Sequence, residues 1–254
     1  MCTISFVPNP QGFYLGMNRD ESLLRAVALP PEMHRTGSRA SIYPREPGGG
    51  TWIGVNDVGL ALALINWHVI PAQREIRVIS RGLVVKALLA AENIAQSYSA
   101  LDAVPLHQMP PFRLIAIALR DRSIAEFRWN QDQLRVIKPL WTKQHWFSSG
   151  SDEAMVQAKR AEVCQKEWQK SDAGSLPWLR RLHQSHLPKP KGMSICMHGV
   201  NAATVSYTEI VLDAGLAVMR YHQGSLCKSS GESVEQRIHV SATSDSIAVP
   251  LLRS

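Results

Sequence analysis

Two short apolar runs open the chain, Cys2 to Val7 and Phe13 to Asn18, and between them "PNPQG" supplies two prolines and a glycine. Such a break between β-favouring runs predicts a hairpin. Folded about Pro10 and Gln11, paired positions sum to about 21 or 22, which sets Cys2 beside Arg19 or Asp20. Alternation along the strand puts Asn18 and Asp20 on one face and Met17 and Arg19 on the other. A second hairpin is predicted where "TWIGV" and "LALALINW" flank "NDVG". Its second strand is apolar on both sides. Leu60, Leu62 and Leu64 lead to Asn66, while Ala61, Ala63 and Ile65 lead to Trp67, so both faces require cover.

Further along, the period changes. "ISRGLVVKALLAAENIAQSYSAL" has no proline and is rich in Ala and Leu, which predicts one long helix or two short ones over 80–101. Strands follow at "FRLIAIAL", "SIAEFRW" and "QLRVIK". A helix then opens near Ser151, a fitting N-cap, with Asp152 and Glu153 at the positive end of the helix dipole. "SLPWLRRLHQSHL" predicts a third helical stretch, and "GMSICMHG", "TVSYTEIVLD" and "LAVMRYHQ" a late set of strands. After Gly224 the chain turns Ser-rich and loses periodicity. The organisation expected is a single domain over 1–223 and a loosely attached tail over 224–254, with a short strand at "RIHVSA". Antiparallel hairpins alternating with helices give an α+β domain in which sheets stack and helices cover their outer faces.

Composition narrows the class. The 254 residues are 45% hydrophobic and 19% charged, the balance of a globular protein able to bury a core. No apolar run reaches the roughly 18 residues of a membrane span. "MCTISFVPNPQG" lacks the basic leader and cleavage site of a secretory signal, so a cytoplasmic location is expected. The net charge of +7 favours anionic partners, but the basic residues are scattered and no nucleic-acid motif accompanies them. Four cysteines without CxxC or other close spacing indicate neither a zinc site nor a disulfide framework.

The chemistry suggested by the sequence begins at Cys2. If Met1 is removed, the mature chain starts with a thiol and a free α-amine on one residue, a nucleophile with its own base. Asp20, across the hairpin, is placed to orient that amine; Asn66, at a strand end, is placed to donate to an oxyanion. The plainer alternatives are that Cys2 is a small buried residue starting a strand and that Asn66 satisfies a turn.

"MCTISF", "NRDES", "GGGTWIGVNDVGLALALIN", "SRG" at Ser80 to Gly82 and "SYTEIVLD" occur in the order found in the NRDE family, also called the Transport and Golgi organization protein 2 family, which the chain resembles up to Gln223. The resemblance implies an N-terminal-nucleophile hydrolase fold, a four-layer αββα sandwich of two antiparallel sheets covered by helices. It also implies haem handling: noncovalent binding and transfer of haem, with haem-donating or haem-accepting proteins as partners. Candidate ligand contacts are Asn18, Arg19, His68 and His198, with His68, His198 or Cys2 as iron ligands. The Met-Cys-Thr start, the segment around Asp20 and the Leu-Asn segment also resemble bile salt hydrolases and penicillin V acylases. On that pattern Cys2 matches the nucleophile, Asp20 the residue contacting its amine and Asn66 an oxyanion-hole residue. Met17 stands where those amidases have arginine, Ser148 or Ser149 falls near a later asparagine, and their late arginine has no match. Ser149 is taken as the candidate there. Three functions stay open on the sequence: a haem carrier, a cysteine amidohydrolase for a linear nonpeptide amide, which needs no cofactor, and a lipid or acyl-CoA binding protein.

Overall fold

A computed structural model describes residues 2–71, 79–213, 215–228 and 231–241. Its frame is two antiparallel sheets. The first hairpin is β1 (Cys2–Pro8) and β2 (Phe13–Ser22), paired in the register Cys2 to Arg19. Asn9 holds the turn, its side-chain oxygen accepting from the backbone N–H of Gln11 and Gly12. Gly12 has no freedom to carry a side chain, because a Cβ there would lie 1.9 Å from the carbonyl oxygen of Leu212.

The second sheet begins with β3 (Leu29–Thr36), β4 (Arg39–Arg45), β5 (Ile53–Asn56) and β6 (Leu60–Asn66). It continues through β7 (Phe112–Ala118), β8 (Ser123–Trp129) and β9 (Leu134–Ile137), in sequence order. Asn56 fixes its central turn twice over: Oδ1 accepts from Leu60 N–H, and Nδ2 donates to the carbonyls of Leu89 and Ala91. The first sheet is completed by β10 (Gln144–Ser148), β11 (Ala202–Asp213), β12 (Leu216–Gln223) and β13 (Val234–His239), in the order β10-β1-β2-β11-β12-β13.

Three apolar clusters define the layers. Between the sheets, Ile4, Phe6, Leu15 and Met17 meet Ile42, Ala61, Ala63 and Ile65. Outside the second sheet, Leu60, Leu62 and Leu64 pack beneath α1 (Gly82–Leu88) and α2 (Ile94–Ala100). Outside the first, Val7 and Phe147 pack beneath α3 (Glu153–Glu167) and α4 (Leu176–His183). The double apolar character of β6 is thus the signature of a strand with a core on each side. The architecture is an αββα sandwich.

Several boundaries differ from the sequence reading. The helical stretch over 80–101 breaks into α1 and α2 where Asn93 caps the second, its side chain accepting from Gln96 N–H. The cap of α3 is Asp152, one residue past Ser151, in a left-handed conformation at φ 36°. "GMSICMHG" forms no strand: its buried carbonyls serve side chains instead of a ladder, leaving one isolated bridge, His198 to Ala203. β3 and β4 lie in a stretch for which the sequence gives no element; β3 is an edge strand with most positions exposed, so it carries no alternation to read. The strand expected in the tail at "RIHVSA" is present but begins earlier, as β13, paired along its length with β12 and burying Ile238. Residues 242–254 lie outside the described residues.

Candidate active site

At the end of the sandwich where β1 starts, the two sheets diverge around a cavity of about 340 Å³. Cys2, Arg19, Asp20 and Glu21 come to it from the first hairpin; Thr51, Trp52, Leu64 and Asn66 from the second; Ser80, Arg81 and Gly82 from the entry to α1. Register explains the convergence. Cys2 opens β1 opposite Arg19 near the end of β2, and Asn66 closes β6, so strand ends of both sheets meet at one rim.

Cys2 and Arg19, being directly paired, share the face toward the second sheet. Arg19 lies over the Trp52 ring at 4.5 Å and pairs with Glu46 at 2.6 Å and Glu21 at 3.3 Å. Arg25 pairs with the same two carboxylates. Asp20 is on the other face of β2, toward α3, and is buried with Arg160. The Arg160 guanidinium donates to Asp20 Oδ2 at 3.5 Å, to the Cys2 carbonyl at 3.3 Å, to Thr3 Oγ1 at 2.9 Å and to the Met193 carbonyl at 2.9 Å. Thr204 Oγ1 donates to Asp20 Oδ1 at 2.6 Å. Burial nevertheless raises the Asp20 carboxyl above its ordinary value, with Arg160 and Thr204 opposing the shift. Burial likewise raises the Cys2 thiol, and the Asp20 charge adds to the effect.

Arg81 stands apart. Its guanidinium donates to the Pro111 carbonyl at 3.1 Å, and among the described residues no carboxylate lies within ion-pair distance of it. Burial, reinforced by the nearby Arg25 charge, lowers its pKa. A partly buried cation that meets no carboxylate among the described residues gains from an anion placed beside it. Gly82 makes this position possible, since a Cβ there would meet the backbone N and O of Thr51 at 2.7 and 2.8 Å.

The expected site residues divide. Cys2, Arg19, Asp20 and Asn66 line one cavity. Asn18 is fully buried on the helical side, its amide donating to the carbonyls of His183 and Ile195, so its polar group is engaged away from that cavity. Ser149 turns its hydroxyl into the loop before α3, donating to the Ser151 carbonyl. The neighbouring Ser148 is the residue paired with Cys2 on β10, and its buried hydroxyl has no hydrogen-bond partner among the described residues. His68 is exposed beyond β6. His198 lines an adjacent cavity of about 350 Å³ that shares Arg19, Glu21 and Arg25 with the first. Of the three iron-ligand candidates, Cys2 and His198 line different cavities, while His68 lies near enough to Arg81 and Glu21 of the first for their charges to act on it.

Sequence reasoning missed Arg160 and Arg81. The amidase pattern lacks its cations at the matched positions, yet two arginines from other elements stand at this site. Arg160 was legible in one respect: it falls on the buried stripe of α3 between Val156 and Cys164, where a charge demands a partner.

The model of a family described as Transport and Golgi organisation 2 matches residues 1–212. No curated protein sequence matches the chain. Among solved structures, a C2A mutant of conjugated bile acid hydrolase from Clostridium perfringens superposes with a TM-score of 0.59 at 10% identity, covering 96% of this chain and 97% of that one. Penicillin V acylase from Agrobacterium tumefaciens gives 0.51 at 11% identity, over 92% and 90%. At such identities the likeness is one of fold, the sandwich of N-terminal-nucleophile hydrolases. No helix among the described residues is long and apolar enough to cross a membrane.

Proposed function

The chain belongs to the Transport and Golgi organisation 2 family, and from that premise we propose a cysteine amidohydrolase that acts on a linear amide bearing an anionic group. The observation that carries this reading is the single cavity uniting Cys2, Asp20 and Asn66 with Arg81. After removal of Met1, the Cys2 thiol gives its proton to the α-amine as sulfur attacks the acyl carbon. Asn66 donates to the oxyanion, while Asp20, locked by Arg160 and Thr204, orients the ammonium. Collapse breaks the C–N bond, and the ammonium protonates the departing amine. Water then attacks the thioester, its proton passing to the α-amine; the C–S bond breaks, the ammonium returns that proton to the Cys2 sulfur, and the acid is released as its carboxylate. Arg81 holds the substrate's anionic group.

Intact mass, a thiol-directed acyl probe and a panel of linear amides with and without a terminal carboxylate test the proposal. Expected are a chain lacking Met1, labelling of Cys2, and turnover of carboxylated amides that Cys2→Ala abolishes. Retention of Met1, or turnover unchanged in Cys2→Ala, would overturn it.

Binding without turnover is the second reading, favoured by the raised Cys2 thiol and by the exposed Leu23 and Val27 on the wall of the adjacent cavity. There the cargo is haem or another amphipathic anion, with propionates toward the arginines and His198 as iron ligand. A haem titration giving a shifted Soret band that His198→Ala removes supports it. A spectrum identical to free haem rejects it.

A further inference from the structure

The four cysteines are far apart in sequence, but the fold brings two of them together with two histidines. His186 follows α4, Cys196 and His198 lie on the loop that leads to β11, and Cys227 sits in the helical turn Leu226–Lys228. Cys196 Sγ is 3.4 Å from Cys227 Sγ and 3.6 Å from His198 Nε2, and His198 Nε2 is 3.2 Å from Cys227 Sγ. His186 completes the group, with its ring against that of His198, and all four ligand atoms lie within 4.8 Å of one another.

A tetrahedral zinc with Zn–S near 2.3 Å and Zn–N near 2.0 Å sets adjacent ligand atoms roughly 3.3 to 3.8 Å apart. The separations among Cys196, His198 and Cys227 fall in or beside that range, and His186 lies within 4.8 Å of them, close enough for a rotation of its ring to complete the set. Both sulfurs and one imidazole nitrogen are mutually close, which simple packing of two thiols does not call for. The soft sulfur and imidazole set suits zinc and excludes the oxygen-seeking divalent ions. We propose that His186, Cys196, His198 and Cys227 bind one Zn²⁺ in a closed, four-ligand structural site. The two thiols lose their protons to solvent as the metal–sulfur bonds form, and nothing is oxidised or reduced.

The site would fasten a segment on which the cavity depends. Between His186 and His198, the Met193 carbonyl receives Arg160 and the Ile195 carbonyl receives Asn18. Met197 N–H donates to Thr204 Oγ1, the same hydroxyl that donates to Asp20. A metal here would tie the loop to the Leu226–Lys228 turn and so keep Arg160 and Thr204 on Asp20. The proposal is independent of amide hydrolysis, and it competes with haem for His198.

The test uses the full chain, reduced and stripped with a chelator, then titrated with Co²⁺ and with Zn²⁺. Expected are the visible bands of tetrahedral cobalt, a thiolate-to-cobalt charge-transfer band, and displacement by one zinc per chain in elemental analysis. Cys227→Ser and His186→Ala, at less buried positions, should weaken binding by at least about tenfold, while Cys2→Ala leaves it intact. Circular dichroism establishes that each variant is folded. A folded, reduced chain that shows no tetrahedral cobalt spectrum would overturn the proposal. So would undiminished zinc binding in both ligand variants, or a Cys196–Cys227 disulfide forming in place of metal uptake.

Discussion

Lowering the pH should destabilise this protein through two histidines that the fold keeps neutral. Trp168 Nε1 donates to His145 Nε2 at 2.9 Å. Since indole is a donor only, that nitrogen carries no proton, and His145 Nδ1 donates to Ser5 Oγ at 2.9 Å. Ser5 Oγ lies 3.0 Å from Nε2 of the fully buried His183. Burial lowers His145 to about 4, with Lys143 adding to the shift, and lowers His183 to about 3, with His145 and Arg160 adding. Both folded values lie below the ordinary 6.5 of a histidine. Their contribution is therefore fully present above pH 6.5 and is lost as the pH falls toward the folded values. From about pH 7 to about pH 5 each fully shielded histidine removes roughly 2 kcal/mol, and discounting the partly exposed His145 leaves about 3 to 4 kcal/mol together. That is a large share of a typical stability of about 5–15 kcal/mol. Urea unfolding at fixed pH steps measures it, and His145→Gln should flatten the slope. The buried Asp20 carboxyl, raised by burial, acts against this slope where it titrates, whereas His34, His68, His198 and His222, also lowered by burial, steepen it. Stability constant within about 1 kcal/mol over that interval would refute the reasoning.

Other consequences follow from the same contacts. Arg160→Met removes the charged partner of the buried Asp20 carboxylate, which keeps Thr204, and the guanidinium donor of three backbone or hydroxyl acceptors, so a loss of about 3–5 kcal/mol in urea unfolding is expected; Asp20→Asn in the same background should recover part of it. Because burial raises the Asp20 carboxyl, its ionisation costs stability as pH rises from its ordinary value of 3.8 through the folded one. Asp20→Asn should accordingly show a smaller decline over that range. Gly82→Ala forces a Cβ into the Thr51 backbone, displacing Arg81 and the Thr51–Trp52 wall; crystallography of the variant and a fall in melting temperature would register it. Ser148→Ala should alter acyl-probe labelling of Cys2 more than Ser149→Ala does, since only Ser148 is paired with Cys2.

The hairpins were readable because their turns are punctuated and their strands alternate, and the summed register placed Cys2 opposite Arg19 or Asp20, of which the structure has Arg19. Asn66 was also placed correctly at a strand end. What escaped was set by distant parts of the chain. β3 has an exposed, irregular pattern, and β10 is five residues long, so neither has a period to detect. "GMSICMHG" is as apolar as a strand, but its carbonyls are claimed by Asn18 and Arg160 from 177 and 33 residues away. The His186, Cys196, His198 and Cys227 cluster was invisible for the same reason, because its last member is 31 residues from Cys196 and no local spacing marks it.

The four residues that give the NRDE string its chemical look do different work. Asn18 fastens the end of α4 and the loop at Ile195. Arg19 and Glu21 neutralise one another with Arg25 and Glu46. Asp20 answers Arg160. With these charges paired, the cavity's affinity for an anion falls to Arg81, and its reactivity falls to Cys2. The two properties are separable. Arg81→Ala should weaken an anionic ligand whether or not the protein turns it over, whereas Cys2→Ala should spare binding and remove only turnover. A ligand whose affinity survives Arg81→Ala would mean that the arginines on β2 exchange their acidic partners for it, at the expense of the ion pairs that hold the hairpin end to the Glu46 turn.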